Sequence, residues 1–502
     1  MSSTVVNTVH STLKPTDNPF LNGAFRPNFN EHVAHVGSLK VIGEIPRDLD
    51  GLYIRNTHNQ VHEPMGIYHP FDGDGMLHAV HFQNGQASYR SRFVRTTGFL
   101  AEQAAQASLW TGILEPDKGA RRGWGAMGSM KDNAGTDIIC HAGRLLATMS
   151  QGSEPWRLDP ISLDTQGPDA SWARHVMPHG IGSHYKVDPE TGEMMFFNYP
   201  EVWPYMHYGV VDRHNQLVHY VPVELPGARW PHDLGITKNY TILHDTPQFF
   251  DPALLKKGVR KLAFHPEVPA RFGVIPRRGS GADVKWFEAT SCHILHLSNC
   301  YEDGDEIVMD GCIMPRPVMH PVGKTEGGDV YARMKARLDK HNNPTMMHRW
   351  RFNLRTGQTT EQYLDDEITE FPVVSNDYVG RPYRYSYNIL YQPGEWLFCG
   401  LKKFDLQTGA TQRFEYGPGR YGSEPQMARR LGATGEDDGY LLVYVTDMVQ
   451  DRSEALVFDA TDIARGPLAT VILPERISVG VHACWVEGDR IHGEHRDSRM
   501  LP

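Results

Sequence analysis

The sequence has few cysteines and no long apolar run. Its six cysteines include no Cys-x-x-Cys pair, and at this low density they do not predict a disulfide framework, so we expect free thiols in a reducing compartment. No stretch approaches eighteen uninterrupted apolar residues, which argues against a membrane-spanning helix. The first thirty residues hold no Lys-led apolar segment that resembles a secretory signal. These absences predict a soluble protein in the cytoplasm.

The chain also lacks any long basic run. Its formal net charge is -10, and without a basic patch this balance argues against nucleic acid as a partner. At 502 residues, with 40% hydrophobic residues, the chain can bury a large core as several domains or as one closed all-β architecture.

Helical patterning is sparse, with helices predicted only over 101–109, 252–262 and 329–340. Elsewhere short runs such as "LYIRNT", "MMFFNY" and "GYLLVYVTD" alternate with turn dipeptides, and 48 Gly and 34 Pro are spread along the chain. This is the pattern of antiparallel hairpins. Evenly spaced hairpins without a linker favour one β-propeller domain over 1–502 rather than separate sandwiches. We expect 1–17 to form a flexible N-terminal extension.

Four histidines lie in short apolar or strand-like runs from different parts of the chain: His184, His232, His296 and His482. Their separations of 48, 64 and 186 residues are too long for one helix or one zinc loop. The inner strands of a propeller converge on an axis, so four remote side chains can meet there. An all-imidazole site suits Fe(II), Zn, Cu or Ni, and without carboxylate ligands the metal stays dicationic and able to bind O2.

Ordered motifs around these histidines make the chain resemble the carotenoid cleavage oxygenase family, which includes enzymes that cleave stilbenes and phenylpropenes. The likeness runs from about Asn18 to Trp485. It includes "NPFLNGAFRP", "GEIPRDLDGLYIRNT" and "HPFDGDGMLHAVHF" near the N-terminus. The four histidine motifs follow in "GSHYKVDPETGEM", "WPHDLGITKNYTI", "KWFEATSCHILHLSNCYEDGDEIVMDG" and "SVGVHACWVEGD". In the third motif the family pattern falls on His296 and not on His293.

The resemblance implies a seven-bladed propeller whose helical and loop excursions form a cap over an axial metal site. It implies one Fe(II) per chain, bound by the four histidines, and O2 as co-substrate for scission of a C=C bond into two carbonyl products. No further catalytic residue is expected. A ligating imidazole needs an acceptor for its other N–H, and the family positions that hold such acceptors fall on Glu370, Glu424 and Gln151. Gln151 replaces the usual Glu and carries no charge.

A second departure from the family concerns the substrate. Members that cleave phenolic stilbenes and isoeugenol-like alkenes place a Lys beside that third Glu and a Tyr upstream. Here the Lys position holds Ser150, and "SLWTGILEPDKG" contains no Tyr; Lys118 or Lys131 could act instead. The primary expectation is therefore an apocarotenoid-like or other apolar conjugated alkene, with lignin-derived stilbenes and phenylpropenes as the alternative. The candidate substrate contacts, chosen for their places near the motifs, are Phe71, Trp110, Ser150, Trp203, Tyr205 and Phe371.

Two other functions are alternatives to an oxygenase for a propeller of this kind. A propeller hydrolase or lactonase normally holds Zn or Ca with carboxylate and amide ligands, whereas the axial set here is imidazole. A non-catalytic binding platform does not need four matched histidines. Segment 251–262 places leucines and a valine among basic residues. This pattern is common in a segment that packs on its own domain, and it also allows a peripheral membrane contact for collecting a lipophilic substrate.

Overall fold

Seven antiparallel sheets form the blades of a β-propeller in the part of the chain that the structure describes. This computed structural model describes residues 3–114, 130–150, 152–257, 259–317 and 329–491. Each sheet has four to six strands, and a separate two-stranded hairpin extends from the fourth blade. The predicted seven-bladed all-β propeller is confirmed.

The first four blades follow the chain from its N-terminal strands. Blade 1 contains β1 (Thr4–Thr8), β2 (Asn30–Ala34), β4 (Gly51–Asn59), β5 (Asp74–Gln83) and β6 (Gln86–Phe93). Blade 2 contains β7 (Asp137–His141), β8 (Arg144–Thr148), β9 (Trp156–Leu158) and β10 (Thr165–Pro168). Blade 3 contains β11 (Lys186–Val187), β12 (Met194–Asn198), β13 (His207–Val211) and β14 (Leu217–Pro222). Blade 4 contains β15 (Gly235–Ile236), β16 (Tyr240–Asp245), β19 (Ala270–Pro276) and β20 (Lys285–Ala289).

The last three blades complete the ring. Blade 5 contains β21 (His293–Asp303), β22 (Glu306–Met314), β23 (Met346–Asn353) and β24 (Thr359–Tyr363). Blade 6 contains β25 (Thr369–Val373), β26 (Tyr385–Tyr391), β27 (Phe398–Asp405) and β28 (Thr411–Glu415). Blade 7 contains β29 (Arg420–Tyr421), β30 (Gln426–Arg429), β31 (Gly439–Asp447), β32 (Arg452–Asp459) and β33 (Ala469–Ile472), with β3 (Val41–Gly43) at its outer edge.

The C-terminal strand closes the ring. The strand β34 (Ala483–Glu487) pairs antiparallel with β4, so blade 1 takes its inner strand from the far end of the sequence. At the outer edge of blade 7, β3 pairs with β33. Two exchanges of strands between the chain ends therefore hold the first and last blades together.

Each pair of neighbouring blades encloses its own apolar cluster. The cluster between blades 7 and 1 includes Tyr53, Tyr444 and Trp485, and Tyr53 stacks on Tyr444 with ring centroids 4.7 Å apart. Six further clusters fill the other interfaces in turn, from the one between blades 1 and 2 to the one between blades 6 and 7. Because side chains alternate along a strand, both faces of a blade can pack against neighbours, which matches the many strands that are buried along their whole length.

Between the strands of the described segments lie four short α-helices: α1 (Thr97–Ala105), α2 (Ala173–Val176), α3 (Pro252–Leu255) and α4 (Val330–Leu338). Single 3-10 turns lie at Pro19–Leu21, Gly23–Phe25, Gly281–Asp283, Asn376–Tyr378 and Ile463–Arg465. Within the described ranges the longest helices have nine residues, and none could cross a bilayer.

The helix predictions were accurate at one place and shifted or wrong at two. The α4 helix begins beside its N-cap Asp329 and confirms the prediction over 329–340. The α1 helix begins four residues earlier than predicted because the Thr96 side chain caps the Phe99 N–H. The helix predicted over 252–262 ends at Leu255, because the apolar residues at 262–264 form β18 (Leu262–Phe264) paired with β17 (Gln248–Phe250). Strand pairing there overrides helix propensity.

The N-terminal segment also differs from the prediction of a flexible extension. The β1 strand pairs antiparallel with β2 at the edge of blade 1, and the Ser11 hydroxyl donates a hydrogen bond to the Val61 carbonyl oxygen at 2.6 Å. The sequence did not indicate this edge strand, because β1 is exposed along its length and has no apolar face to mark it.

The closing interface gives a stability prediction. The buried Tyr53 hydroxyl donates to the carbonyl oxygen of Glu424 at 2.9 Å and so ties blade 1 to blade 7. We expect Tyr53→Phe to lower the free energy of unfolding by about 1–3 kcal/mol, because it leaves a buried carbonyl without its donor. The midpoint of urea unfolding, followed by near-ultraviolet circular dichroism, measures this change.

A matched control is Tyr363→Phe, at a tyrosine that is 54% exposed. It should leave the midpoint unchanged within error. Equal shifts in the two variants would show that the bond between the blades contributes nothing specific.

Candidate metal centre

The four predicted histidines lie at the inner strands of four different blades. His184 precedes β11, His232 precedes β15, His296 lies within β21, and His482 directly precedes β34. These inner strands contact those of neighbouring blades, as β15 does with β21 and β34 does with β7. The strands converge at the axis, and the four imidazoles converge with them.

The imidazole rings are within contact distance of one another. Ring centroids lie 4.7 Å apart for His184 and His232, 5.1 Å for His184 and His296, and 5.1 Å for His232 and His296. His482 lies 4.5 Å from His184 and 4.9 Å from His296. One ligand atom from each of His184, His232 and His296 can be chosen so that all three lie within 4.8 Å of one another. A single ion fits between donors spaced in this way.

The nitrogen atoms that face the centre have no protein partner. Nε2 of His184 and Nε2 of His296 are buried and make no hydrogen bond among the described residues. A buried polar atom without a partner is costly, and a metal ion would satisfy both. The donor set therefore fits a metal that prefers neutral nitrogen ligands.

Two glutamates orient two of the rings. Nδ1 of His296 donates to the Glu370 carboxylate at 2.5 Å, and Nδ1 of His482 donates to the Glu424 carboxylate at 3.2 Å. Each bond holds the ring with Nε2 as the free donor atom. Glu370 and Glu424 come from the inner edges of blades 6 and 7, the two blades that follow the one carrying His296.

The remaining two rings are held differently. Nδ1 of His184 lies 3.6 Å from Oδ2 of Asp137, which also accepts the His184 backbone N–H at 3.1 Å. Nδ1 of His232 is buried and has no hydrogen-bond partner in the described part of the chain. The predicted partner Gln151 lies outside the described residues.

Asp233 is a structural residue of the site that the sequence analysis missed. One of its carboxylate oxygens accepts from the Lys186 ammonium at 2.5 Å, and the other accepts from the Leu297 backbone N–H at 2.9 Å. These two partners adjoin His184 and His296, so one buried carboxylate joins three of the histidine-bearing segments. Its position directly after His232 in the second motif was the signal available in the sequence.

The electrostatics of the site favour the neutral form of three of the four histidines. Burial lowers the pKa of His184, His232 and His296 well below its ordinary value, and the neighbouring imidazoles lower it further. Burial also acts to lower the pKa of His482, but the charge and hydrogen bond of Glu424 outweigh it, so that the pKa of His482 is raised. Neutral imidazole is the form that binds a metal.

Two residues at the centre adopt backbone conformations that L-residues rarely take. His184 has φ of 65° and Phe371 has φ of 47°, each at a cost of about 1–3 kcal/mol. The Phe371 ring lies 4.5 Å from the His296 ring and 5.1 Å from the His482 ring. The strained backbone thus accompanies direct contact with the imidazoles.

A mainly apolar cavity of about 900 Å³, including its open mouth, adjoins the histidines on one side. His232, His296 and His482 form part of its wall. The blades and their excursions contribute apolar side chains to the remainder: Phe71, Trp230, Leu295, Met314, Leu338, Phe371, Trp396 and Val481. The excursions therefore do cover the axial site, as the predicted cap requires.

The structure brings three of the six predicted substrate contacts to this cavity and leaves three outside it. Phe71, Ser150 and Phe371 line the wall. Trp110 lines a different cavity, and Tyr205 packs at the edge of the cluster between blades 3 and 4. Trp203 is 64% exposed, because the turn between β12 and β13 carries it to the surface. Proximity to a motif along the chain did not imply proximity to the site.

Lys131, one of the two lysines considered for phenol binding, does not line this cavity. Lys131 is held by the carboxylates of Asp74 at 2.8 Å and Glu102 at 2.6 Å, and it lines the same separate cavity as Trp110. Lys118 lies outside the described residues. Among the polar cavity residues that sequence analysis missed are Arg337, Lys340 and Tyr391.

Known proteins resemble this chain in sequence and in fold. The chain is 32% identical to carotenoid 9,10(9',10')-cleavage dioxygenase 1 of Pisum sativum, covering 94% of this chain and 90% of that protein. It is 30% identical to isoeugenol monooxygenase of Pseudomonas nitroreducens, covering 94% and 98%. The crystal structure of Pseudomonas brassicacearum lignostilbene dioxygenase superposes with a TM-score of 0.83 and 25% identity, covering 95% of this chain and all of that one.

The fold, the site and these likenesses define a propeller enzyme for the oxidative cleavage of alkenes. Residues 25–487 match the family described as RPE65, retinal pigment epithelial membrane protein. The chain belongs to this RPE65/carotenoid cleavage oxygenase family, whose enzymes are non-heme iron dioxygenases.

The role of Asp233 can be tested by Asp233→Asn. The amide preserves shape but cannot accept from both Lys186 and Leu297 as the carboxylate does, so we expect the free energy of unfolding to fall by about 1.5–3 kcal/mol. Iron retained after gel filtration should fall as well, because Asp233 fixes the segments that carry the histidines. Urea unfolding and metal analysis measure the two effects.

The control is Asp305→Asn, which removes an exposed ion pair with Arg355 worth at most about 1 kcal/mol. An Asp233 variant as stable and as iron-rich as this control would contradict the assigned role.

Proposed function

We propose that His184, His232, His296 and His482 bind one Fe(II) ion, and that the chain uses O2 to cleave one C=C bond of an apolar conjugated alkene into two carbonyl products. The observation that carries this proposal is the convergence of four imidazoles from four blades beside an apolar cavity. When bound, the ferrous ion supplies the centre at which O2 is activated.

The residues of the chain supply positioning rather than proton transfer. Glu370 and Glu424 fix two imidazole rings by accepting their Nδ1–H groups, and we propose that the side-chain carbonyl of Gln151 accepts the N–H of a further ligating imidazole. Phe371, in contact with His296 and His482, offers a flat apolar surface on which a conjugated alkene can lie. The apolar wall excludes stray water and holds one double bond near the histidines.

Apocarotenoid-like alkenes are the first candidate substrates. The cavity wall is mostly aromatic and aliphatic, and Ser150 stands where phenol-binding members of the family have a Lys. Stilbenes and phenylpropenes are the second candidate, favoured by the likeness to isoeugenol monooxygenase and to lignostilbene dioxygenase over nearly the whole chain.

The test is an aerobic product screen by mass spectrometry with iron-loaded enzyme. Apocarotenals, hydroxystilbenes and isoeugenol are offered side by side, and aldehydes should form from at least one set, with apocarotenals preferred. Iron should be near one atom per chain. If aldehydes form from the phenolic set alone, stilbenes and phenylpropenes are the substrates instead of apocarotenoids. If iron-loaded enzyme forms no product from any alkene, the proposed cleavage reaction is wrong.

Variants of the centre separate metal binding from folding. His232→Ala should lose iron and all product formation while the unfolding midpoint of the metal-free protein stays close to that of metal-free wild type. Glu370→Gln should weaken iron binding about 10- to 100-fold, because it removes a charged partner of a ligand. His214→Ala, at a histidine on the turn between β13 and β14, is the control and should retain both iron and activity.

We also propose that segment 251–262 contacts a membrane surface, for a cytoplasmic enzyme that collects lipophilic substrate. Arg260 pairs with Glu201 at 2.8 Å, which places the segment beside Val202 and Trp203, 58% and 64% exposed. The segment itself carries three exposed lysines, Lys256, Lys257 and Lys261. Apolar anchors among basic residues suit an anionic lipid surface.

Flotation with vesicles of phosphatidylcholine containing anionic phosphatidylglycerol tests this contact. Wild type should float with the vesicles, and the double variant Val202→Ser and Trp203→Ser should remain largely in the soluble fraction with activity toward dissolved substrate retained. The control is Leu431→Ser, at a leucine that is 63% exposed and lies just after β30 in blade 7. Equal flotation of all three proteins would contradict a membrane role for the segment.

A further inference from the structure

Two cationic side chains line the otherwise apolar cavity beside the histidines. Arg337 is the penultimate residue of α4, and Lys340 follows two residues after the helix ends. Lys340 is only 6% exposed. Arg337 is half-buried, and both residues line the wall of the cavity.

The cavity contains no anionic group to balance this pair. Its lining residues include these two basic side chains and, within the described structure, no aspartate or glutamate. Neither Arg337 nor Lys340 makes an ion pair or a side-chain hydrogen bond with any described residue. The wall thus holds a buried ammonium and a half-buried guanidinium that have no directly bonded anion among the described residues, an arrangement that an anionic ligand would stabilise.

Other buried lysines of this protein show the usual arrangement. Lys402, with a side chain 5% exposed, pairs with Asp365 at 2.9 Å. Lys403, also 5% exposed at its side chain, pairs with Asp437 at 2.6 Å. On the α4 helix itself, Lys335 pairs with a glutamate outside the cavity. The absence of a partner at Lys340 is therefore specific to the cavity.

Electrostatic effects place both charges near the histidines. The charge of Lys340 lowers the pKa of His232 and of His296, and the charge of Arg337 lowers the pKa of His293. The carboxylate of Glu370 influences Lys340, but it already accepts from His296 and from the Phe371 backbone N–H. Its attraction for Lys340 acts through space, since no hydrogen bond or ion pair joins the two side chains.

We propose that Arg337 and Lys340 bind the acidic oxygen terminus of the substrate, a carboxylate or a phenolate, while the conjugated body lies along the apolar wall. This inference rests on the proposed function, because it assigns the polar end of the alkene that the enzyme cleaves. A planar guanidinium presents paired N–H donors to a carboxylate, and an ammonium adds a compact charge. Anchoring one end at a fixed point would select which double bond lies beside the histidines.

Ligand binding to anaerobic protein tests this assignment without any turnover. Two matched pairs serve as probes: an apocarotenoic acid with its methyl ester, and 4-hydroxystilbene with its methyl ether. Quenching of tryptophan fluorescence reports binding, since two tryptophans, Trp230 and Trp396, line the cavity. Wild type should bind the acidic member of at least one pair at least tenfold more tightly than its neutral partner, and the pair that shows this identifies carboxylate or phenolate.

The variants Arg337→Met and Lys340→Met keep length and apolar volume but remove the charge. Each should reduce the preference for the acidic probe at least fivefold with little change toward the neutral one, and Lys340→Arg should restore most of it. Lys335→Met, on the same helix and paired outside the cavity, should behave as wild type. A circular dichroism spectrum and an unfolding midpoint like those of wild type establish that each variant is folded.

Several outcomes would overturn the assignment. They are equal affinity for the acidic and neutral members of both pairs, failure to bind any probe, and an acidic preference that survives both substitutions. Failure of the proposed function is distinguishable, because it appears as absence of cleavage with iron bound whatever the binding preference. Cleavage of neutral alkenes by wild type with no acidic preference would retain the reaction and reject the anchor.

Discussion

The metal centre depends on the antiparallel pairing of β34 with β4. This pairing places the last strand of the chain inside the first blade and brings His482 to the axis beside His184. Without closure, three histidines from consecutive blades would face an open side. The tyrosine contact between blades 1 and 7 reinforces the same closure, so the stability of the ring and the completeness of the ligand set have one origin.

The ring distributes the roles of the site among its blades. Four inner strands supply imidazoles, blades 6 and 7 supply the glutamates that orient two of them, and blade 2 supplies Asp137 next to His184. Backbone strain at His184 and Phe371 is tolerated because packing between blades over-determines the conformation. A centre made by rigid inner strands is precise even though no two of its histidines are close in sequence.

The cavity combines an apolar wall with two cationic side chains, Arg337 and Lys340. The wall suits a conjugated alkene, and it adjoins the histidines through Phe371. Arg337 and Lys340 break that apolar character at one place, close enough to influence the histidines electrostatically. Reaction class and substrate selection are thus separable features: the inner strands provide the first, and the excursions between strands provide much of the second.

Sequence by itself determined the strand-rich fold, the four histidines and the two glutamates, because each lies in a motif with local context. It could not reveal that Trp110, Trp203 and Tyr205 lie outside the cavity, that 4–8 forms an edge strand, or that 262–264 pairs as a strand. Nor could it show that Lys340 is buried and forms no ion pair with a described carboxylate, because basic residues at the end of a helix are ordinarily exposed to solvent. Those features were decided by tertiary structure alone, because burial and partnership depend on contacts between segments far apart in the chain.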